Sequence, residues 1–536
     1  MSTWRGNPWA VLTTLALGFY MTLLDLTIVN VAMPDIMVDL GASLDQVLWV
    51  VSAYALVLAV LLITAGRLGD LYGPRTLFLA GVVVFTLASV ACGLAQNPAE
   101  LIATRAVQGL GAALMGPQTM ALIVAVFPPE RRGAAMGVWG SVAGVATISG
   151  PTLGGLLVSA AGWRWIFFVN LPVGLAVLTL TLLVVPDIRT GRAHRFDVTG
   201  VLLASAALLA LCFGLQEGQR YDWNGMILLC IAAGAVLTAV FLLHQRSRQG
   251  REPLMPFEVF RNRNFTLMSL IAGLIAMSML GLVLPFNLYL QSDLGMSAMR
   301  AGLTLAPSPL VSMAVAPFAG RLSDRVGGKY VLMFGLVMYG TGIGLVSRLA
   351  GQDSDWYTFT PALLVTGLGT GCLLAPLAAE AMRTVTPQLA GAASGVNNTI
   401  RQLGSVIGSA AVGAIMQHQL LARLHSGATA RAGQLPVAVR ETFTGAFAAD
   451  SSRADGAGQV AAAVPEDLAA TAAKLARQVY GEGYLAMLHS TLLLPLCALS
   501  AGLVTALAAT SHARRTAPAP KQAAPADAAP ADAASG

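Results

Sequence analysis

The sequence predicts an all-α polytopic membrane protein, and three observations support this fold class. Hydrophobic residues make up 56% of the 536 residues and charged residues only 11%, whereas soluble domains carry roughly 25% charged residues because their surfaces face water. The mean hydropathy is +0.70. Long apolar runs alternate with short clusters of charge, a pattern that is typical of membrane-spanning helices and the loops between them.

A membrane-spanning helix needs about 20 mostly apolar residues, and this requirement predicts fourteen spans. They lie near 9–33, 46–66, 75–95, 99–126, 133–160, 165–185, 198–216, 224–243, 265–290, 300–320, 330–349, 358–383, 391–418 and 484–510. The first run passes Asp25 and reaches Pro34 without a signal-peptide cleavage site, so we expect a retained helix. The loop distribution of Lys and Arg places both termini in the cytoplasm of a multi-pass cell-membrane protein.

Matching segments in the two halves of the chain indicate an internal repeat. Residues 66–75 read GRLGDLYGPR, and residues 320–329 read GRLSDRVGGK. Residues 133–138 read GAAMGV, and residues 391–396 read GAASGV. The offset between the copies exceeds the length of six helices by about the length of two. We therefore expect two six-helix bundles in a parallel pseudo-repeat, separated by two inserted helices.

The repeat predicts how the chain is divided. We expect an N-terminal six-helix bundle at 9–185, two inserted helices at 198–243 and a C-terminal six-helix bundle at 265–510. Within the last bundle, the Ala-rich segment 420–482 lies outside the cell and is either a small cap or a tolerated insertion. Residues 511–536 form a cytoplasmic Ala/Pro/Asp tail that we expect to be disordered.

Five short motifs occur in order along the predicted helices. They are Leu24-Asp25 with Thr27, Asn30 and Pro34; Gly66-x-Leu68-x-Asp70-x-x-Gly73-x-Arg75; Arg105-x-x-Gln108-Gly109-x-Gly111; Gly150-Pro151-x-x-Gly154-Gly155; and Trp163-Arg164-Trp165 followed by Asn170-x-Pro172. In this combination the sequence resembles the major facilitator superfamily, specifically its fourteen-helix drug/proton antiporter branch. The resemblance implies a secondary transporter that exports small amphipathic drugs or antibiotics in exchange for protons by alternating access.

Asp25 is the one acidic residue well inside a predicted span of the first half. A carboxylate at that depth is costly and marks a candidate functional site, here one that takes and releases a proton. Helix rise places Arg105 at a similar depth, so we predict that the pair couples proton movement to transport. The alternatives are a structural acceptor role for Asp25 and a static counter-charge role for Arg105.

The motif at 66–75 and its second copy predict a gate at the cytoplasmic side. Its glycines permit a tight turn and close helix approach, its acid can accept hydrogen bonds from the N-terminus of a neighbouring helix, and its arginines hold the cytoplasmic side. The alternative is a charged loop that only sets topology. The gate residues are Gly66, Arg67, Asp70, Gly73, Arg75 and, in the second copy, Asp324.

Small residues recur along the fifth predicted helix. Lipid provides no hydrophobic drive for helix association, so small residues permit close packing, and a proline adds a kink point. Gly150, Pro151, Gly154 and Gly155 therefore predict a packing contact, and the family resemblance adds a hinge at which the halves rock.

Aromatic, amide and basic residues on the core helices are candidates for lining a substrate cavity. They are Tyr54, Gln108, Trp139, Asn287, Asn397, Asn398, Arg401 and Gln402. Three roles for Arg401 stay open, namely contact with an anionic substrate group, pairing with Asp25 and bonding to backbone carbonyls. A single strong acid favours cationic amphiphiles as substrates, and Arg401 argues against assuming this.

Several classes of protein lack support in the sequence. There is no P-loop and no large soluble region, so we expect a proton gradient and no cofactor. No HExxH or GxSxG constellation lies at membrane depth and the five cysteines lack ligand spacing, so neither an enzyme nor a metal site is expected. The net charge of +6 forms no patch for nucleic acid. The expected partners are the bilayer and a small substrate, bound by a monomer.

Two other transport functions compete with multidrug export, namely dedicated export of a single metabolite and proton-coupled symport. The repeat also predicts a division of labour. Asp25 and Arg105 map onto Met279 and Leu363 in the second half, so both coupling candidates belong to the N-terminal half. We therefore expect the N-terminal bundle to carry the proton and the C-terminal bundle, with Arg401, to select the substrate.

Overall fold

Helices form the framework of the protein, which we describe from a computed structural model. The structure describes residues 6–128, 131–188, 197–218, 220–249, 253–296, 298–352, 354–383, 385–386, 389–447, 460 and 464–509. No strand occurs within these residues.

The N-terminal half contains seven helices. They are α1 (Pro8–Leu40), α2 (Leu44–Tyr72), α3 (Pro74–Leu94), α4 (Pro98–Val126), α5 (Arg132–Ala161), α6 (Trp165–Phe168) and α7 (Asn170–Val184). Proline stands in the first turn of α1, α3 and α4, where its missing N–H costs no hydrogen bond. The side chains of Asn7 and Asn97 cap α1 and α4 by accepting from backbone N–H groups.

Two further helices, α8 (Val198–Glu217) and α9 (Gly225–Ser247), pack against each other. They correspond to the predicted inserted pair. The α8 helix also contacts α2 and α17 (Ala390–Ala432), and the Trp49 and Phe213 rings stack at 5.9 Å. The pair therefore lies on the flank of the bundle, beside the line where the two halves meet.

The C-terminal half contains the remaining helices. They are α10 (Glu258–Arg261), α11 (Arg263–Leu288), α12 (Ala298–Leu305), α13 (Pro307–Val326), α14 (Gly328–Leu349), α15 (Thr360–Gly371), α16 (Leu374–Met382), α17, α18 (Val437–Ala446) and α19 (Glu466–Ala508). A π-helical turn at Tyr289–Asp293 extends α11, and a 3₁₀ turn at Trp356–Phe359 precedes α15.

Both ends of the described chain lie on one face of the bundle. Gly6 N donates to Val184 O at 3.0 Å, and Lys329 Nζ donates to Ala509 O at 2.8 Å. The ends of α2 and α13 and the starts of α5 and α17 lie on this same face, because the long helices alternate in direction. We refer to it as the predicted cytoplasmic face.

Each of the fourteen predicted spans coincides with helical chain. Within the described residues, twelve helices are long and apolar enough to cross a membrane. The α5 and α17 helices are not among the twelve, although they have 30 and 43 residues. A total of fourteen spans therefore stays a prediction.

The predicted outer segment 420–482 contains a small helical cap. The α17 and α19 helices each have 43 residues and are about 64 Å long, about twice the thickness of a bilayer core. Their projecting ends pack with α18 around an apolar core that includes Leu424, Phe443 and Ala476, all fully buried. The sequence leaves two possibilities for this segment, a small cap and a tolerated insertion. The separate core favours the cap.

Candidate functional site

Asp25 on α1 and Arg105 on α4 form an ion pair between Oδ2 and Nη1. Neither side chain has any exposed area. Arg105 Nε also donates to Val50 O on α2 at 3.1 Å. The guanidinium lies 4.4 Å from the centroid of the Tyr54 ring, a cation–π contact that offsets part of the cost of burying the charge. The two residues with predicted coupling roles are therefore in direct contact.

Amide and hydroxyl groups surround this ion pair. Gln108 Nε2 and Asn170 Nδ2 donate to Asp25 Oδ1 at 2.8 and 3.3 Å. Gln108 Oε1 accepts from Arg105 Nη1 at 2.8 Å, and Asn170 Nδ2 also donates to Ser89 Oγ at 3.0 Å. These side chains are at most 2% exposed. The cluster ties α1, α3, α4 and α7 together around one carboxylate.

Asp25 supplies the counter-charge that Arg105 needs in its buried position. A buried charge without a counter-charge is costly. Without Asp25, Arg105 would keep Val50 O and Gln108 Oε1 as hydrogen-bond acceptors. Arg105 Nη2 is buried and has no hydrogen-bond partner among the described residues, so its N–H groups are unused.

Asp70, at the end of α2, caps a helix of the opposite half. Its Oδ1 accepts from Gly391 N at 2.9 Å, and its Oδ2 accepts from Ala392 N at 2.8 Å. Both donors lie in the first turn of α17, where backbone N–H groups lack partners within the helix and carry partial positive charge. The sequence predicts an acceptor role for Asp70, and the helix that supplies the donors is α17.

Asp324, at the end of α13, makes the equivalent contact in the reverse direction. Its Oδ1 accepts from Gly133 N at 2.9 Å, and its Oδ2 accepts from Ala134 N at 3.0 Å. These donors lie in the first turn of α5. We refer to the two contacts, centred on Asp70 and Asp324, as the carboxylate latches. Together they join the two halves at the predicted cytoplasmic face.

Glycines allow the close helix contact at both latches. A Cβ atom on Gly66 would lie 2.4 Å from Gly391 O, and one on Gly320 would lie 2.1 Å from Gly133 O. Gly73 has a different role, because its φ of 91° lies in the left-handed region that favours glycine. It forms the turn between α2 and α3.

The two arginines of the motif have separate partners. Arg67 Nη1 lies 4.0 Å from Asp70 Oδ2, so its charge lies beside the first latch. Arg75 Nη2 donates to Leu182 O at 2.9 Å, which satisfies a carbonyl in the last turn of α7. The first arginine therefore lies beside the first latch, and the second joins helices within the N-terminal half.

The glycines of the helix-five motif differ in their surroundings. A Cβ atom would lie 2.1 Å from Thr27 Oγ1 at Gly150 and 2.9 Å from Ile28 Cγ1 at Gly154. At Gly155 nothing lies within 4 Å. Of these three glycines, the first two therefore lie in the close contact between α5 and α1, and the third does not. The side chain of Pro151 lies outside the part of the chain that the structure describes.

The eight predicted cavity residues do not share one location. Tyr54 and Gln108 belong to the Asp25 cluster described above. Trp139 on α5 stacks on Phe19 of α1 with ring centroids 4.4 Å apart, and Asn287 Oδ1 on α11 accepts from Gln291 Nε2 at 2.7 Å. The remaining four lie within six residues on α17 and are Asn397, Asn398, Arg401 and Gln402.

A groove of about 580 Å³ lies elsewhere, along α13, α14 and α15. Its lining includes Phe318, Leu322, Tyr330, Phe334 and two arginines, Arg321 and Arg325. None of the predicted cavity residues lines it. It is thus separate from the residues that the sequence assigns to substrate.

Several participants are not singled out by sequence reasoning. Ser89 carries no motif signal, and Asn170 belongs to a motif without an assigned role. The backbone donors of the latches carry a signal, because GAAMGV at 133–138 and GAASGV at 391–396 are copies of each other. Both copies begin the helices that the latches cap.

Comparison with known families matches residues 15–409 to the Major Facilitator Superfamily. The chain belongs to this superfamily. It is 41% identical over 456 residues to an uncharacterized MFS-type transporter of Mycobacterium tuberculosis, covering 83% of this chain and 78% of that one. It is 37% identical over 414 residues to the tetracenomycin C resistance and export protein of Streptomyces glaucescens, covering 77% and 76%.

A solved structure of the human organic anion transporter TETRAN superposes with a TM-score of 0.59 at 12% identity, covering 92% of this chain and 99% of that one. This similarity shows the major facilitator fold. The predicted family, its drug-efflux branch and the all-helical membrane fold are thereby confirmed. Because the matched relatives are transporters, the expectation of a multi-pass membrane transporter rather than an enzyme is also confirmed.

Proposed function

We propose that this major facilitator protein exports small amphipathic molecules from the cytoplasm in exchange for protons, by alternating access. The observation that carries the proposal is the fully buried ion pair between Asp25 and Arg105. A carboxylate at membrane depth is costly and marks a functional site, and we assign the binding and release of the transported proton to this one. The proton gradient then supplies the energy, with no cofactor.

The carboxylate latches support the conformational part of the proposal. Each latch joins an acid of one half to the start of a helix of the other half. Opening toward the cytoplasm requires both to break, because α5 and α17 must move away from Asp324 and Asp70. Each latch therefore stabilises the state that is closed at this face. The proposal also places both termini in the cytoplasm and has the protein act as a monomer.

The direction of transport rests on two supports. The helix-five motif resembles that of exporters, and its Gly150 and Gly154 form the tight contact between α5 and α1. The relative from Streptomyces glaucescens is named as a resistance and export protein. Both favour export over proton-coupled symport.

The proposal is tested in proteoliposomes with an imposed pH gradient, using rhodamine 123 and fluorescein as dyes. Wild-type protein should move a dye faster with the gradient than without it. Asp25→Asn should abolish the difference while the protein stays folded and inserted. Asp39→Asn is the matched control, since this acid lies on the same helix in a pair with Arg164 that is partly exposed, and it should transport as wild type does.

Two results would contradict the proposal. One is full gradient dependence in the Asp25→Asn variant, which would show that this carboxylate does not carry the proton. The other is transport by wild-type protein at a rate that the gradient does not change.

A further inference from the structure

Arg401 is a cation near the middle of the predicted membrane span of α17. It follows the start of α17 by eleven residues, about 16 Å along the helix and therefore near the centre of a core about 30 Å thick. Within the described part of the chain its polar contact is Asn398 Oδ1, at 3.2 Å from Nη2, and no carboxylate pairs with it. A cation at this depth is costly and marks a functional site.

The contacts of α17 show which way Arg401 faces. A Cβ atom on Gly395 would contact Leu62 on α2, and one on Gly408 would contact Met277 on α11. At about 100° per residue, Arg401 lies on the arc between these two contacts. Ile407, which is 47% exposed, lies on the opposite side of the helix. Since α2 belongs to one half and α11 to the other, Arg401 faces the junction between the halves.

A polar stripe continues along this arc. Ser394, Asn398, Arg401 and Ser405 recur at the spacing of one helical face. Asn398 Nδ2 donates to Ser394 O at 2.9 Å, so Asn398 is held with its oxygen toward the guanidinium. The stripe provides a fixed cation with neutral hydrogen-bonding groups above and below it.

The two other roles that the sequence leaves open for Arg401 lack support in the structure. Asp25 is engaged by Arg105, Gln108 and Asn170 and has no exposed area. No backbone carbonyl among the described residues accepts a hydrogen bond from Arg401, whose hydrogen-bond acceptor is Asn398 Oδ1. A contact with an anionic substrate group is the role that remains.

We propose that Arg401 is the anion-binding residue of the substrate site and that the transported molecules are amphipathic anions, such as aromatic carboxylates or phenolates. The inference rests on the proposed function, and it names the substrate class for that function. The guanidinium would form charge-assisted hydrogen bonds with the anionic group, while the apolar body of the substrate lies between the halves. A cationic substrate would meet an unpaired positive charge at the same place.

Equilibrium binding without a pH gradient tests this assignment separately from proton coupling. The protein in lipid nanodiscs is titrated with three dyes that share one three-ring framework, and binding is followed by fluorescence anisotropy. The dyes are fluorescein (a carboxylate and a phenolate), fluorescein methyl ester (a phenolate without the carboxylate) and rhodamine 123 (a cation). Wild-type protein should bind fluorescein most tightly. Arg401→Gln should weaken fluorescein binding by about tenfold or more and leave rhodamine 123 binding unchanged or stronger.

Two further variants make the test specific. Arg401→Lys keeps the charge and should retain most of the affinity for fluorescein. Arg348→Gln removes a cation from the last turn of α14, far from the stripe, and should bind all three dyes as wild type does. Wild-type protein that binds no anionic dye, or prefers the cation, overturns the proposal, as does fluorescein affinity that is equal in wild type and Arg401→Gln. Failure of proton coupling alone would leave these binding differences intact and would appear only in the gradient experiment.

Discussion

Asp25 and Arg105 lie 80 residues apart in the chain and form an ion pair in which neither side chain has any exposed area. A second pair in the same half, Asp39 with Arg164, has side chains that are 48% and 34% exposed. The two pairs have the same chemistry and share α1 as one partner helix. Their surroundings differ, and surroundings decide how much an ion pair contributes to stability.

The buried pair should show strong energetic coupling in a double-mutant cycle. Asp25→Asn or Arg105→Gln alone leaves an uncompensated buried charge and should lower the free energy of unfolding by about 3–5 kcal/mol. The double variant should lose much less than the sum of the two. Denaturation of the purified protein in detergent measures these values. The cycle on Asp39 and Arg164 should give much weaker coupling because solvent screens an exposed pair, and equal coupling in both cycles would contradict the prediction.

The carboxylate latches should control opening at the predicted cytoplasmic face. Asp70→Asn or Asp324→Asn keeps the size of the side chain but replaces one acceptor oxygen with an amide donor, which repels a backbone N–H. Loss of one latch should destabilise the closed state relative to the open state by about 1–3 kcal/mol. The ratio of closed to open protein should then fall by about 5- to 150-fold. The double variant should open further than either single variant.

Spin labels at Tyr72 on α2 and Tyr330 on α14 can measure this opening. Both side chains are well exposed, lie at the same face and belong to different halves. The distance between the labels should lengthen in the latch variants. Asp355→Asn, at the opposite face, is the control and should leave the distance distribution as in wild type. An unchanged distribution in the double latch variant would show that the latches do not hold this face closed.

The helix-five motif should tolerate alanine at one of its glycines but not at the others. Gly150→Ala and Gly154→Ala would place a methyl group against Thr27 and Ile28 of α1, so α5 must move and transport should fall. Gly155→Ala meets nothing within 4 Å and gains helix propensity, so it should transport normally. Dye transport normalised to the amount of inserted protein provides the comparison. Equal loss in all three variants would show that the motif acts through something other than this contact.

The cap that α18 forms with the ends of α17 and α19 should unfold without the rest of the protein when its core is disrupted. Phe443 is fully buried in the cap, and Phe443→Ala should destabilise the cap by about 3–5 kcal/mol. Limited proteolysis should then cut between α17 and α19, while the membrane helices stay intact. Val437→Ala changes a side chain that is 77% exposed and should leave the cleavage pattern unchanged. Loss of the whole protein in the first variant would mean that the cap is required for folding.

Hydropathy and the repeat predict the helices well because both signals are local. Each predicted span coincides with helical chain, and α8 and α9 lie where the offset between the repeat copies predicts two inserted helices. The boundaries are less accurate at the outer face, where α17 continues to Ala432 and α19 begins at Glu466. Those extensions are Ala-rich and carry charge, so their helical structure depends on packing in the cap rather than on lipid.

By itself the sequence determined which segments are helical, which half carries Asp25, and which residues are costly enough in a membrane to mark a site. Only the tertiary structure decided the partners. Asp70 lies 321 residues from Gly391, and its partners are backbone N–H groups, which every non-proline residue carries, so no residue type identifies them. Within the part of the chain that the structure describes, Arg401 likewise pairs with no acid, because the packing of α1 and α4 brings Arg105, and not Arg401, to Asp25.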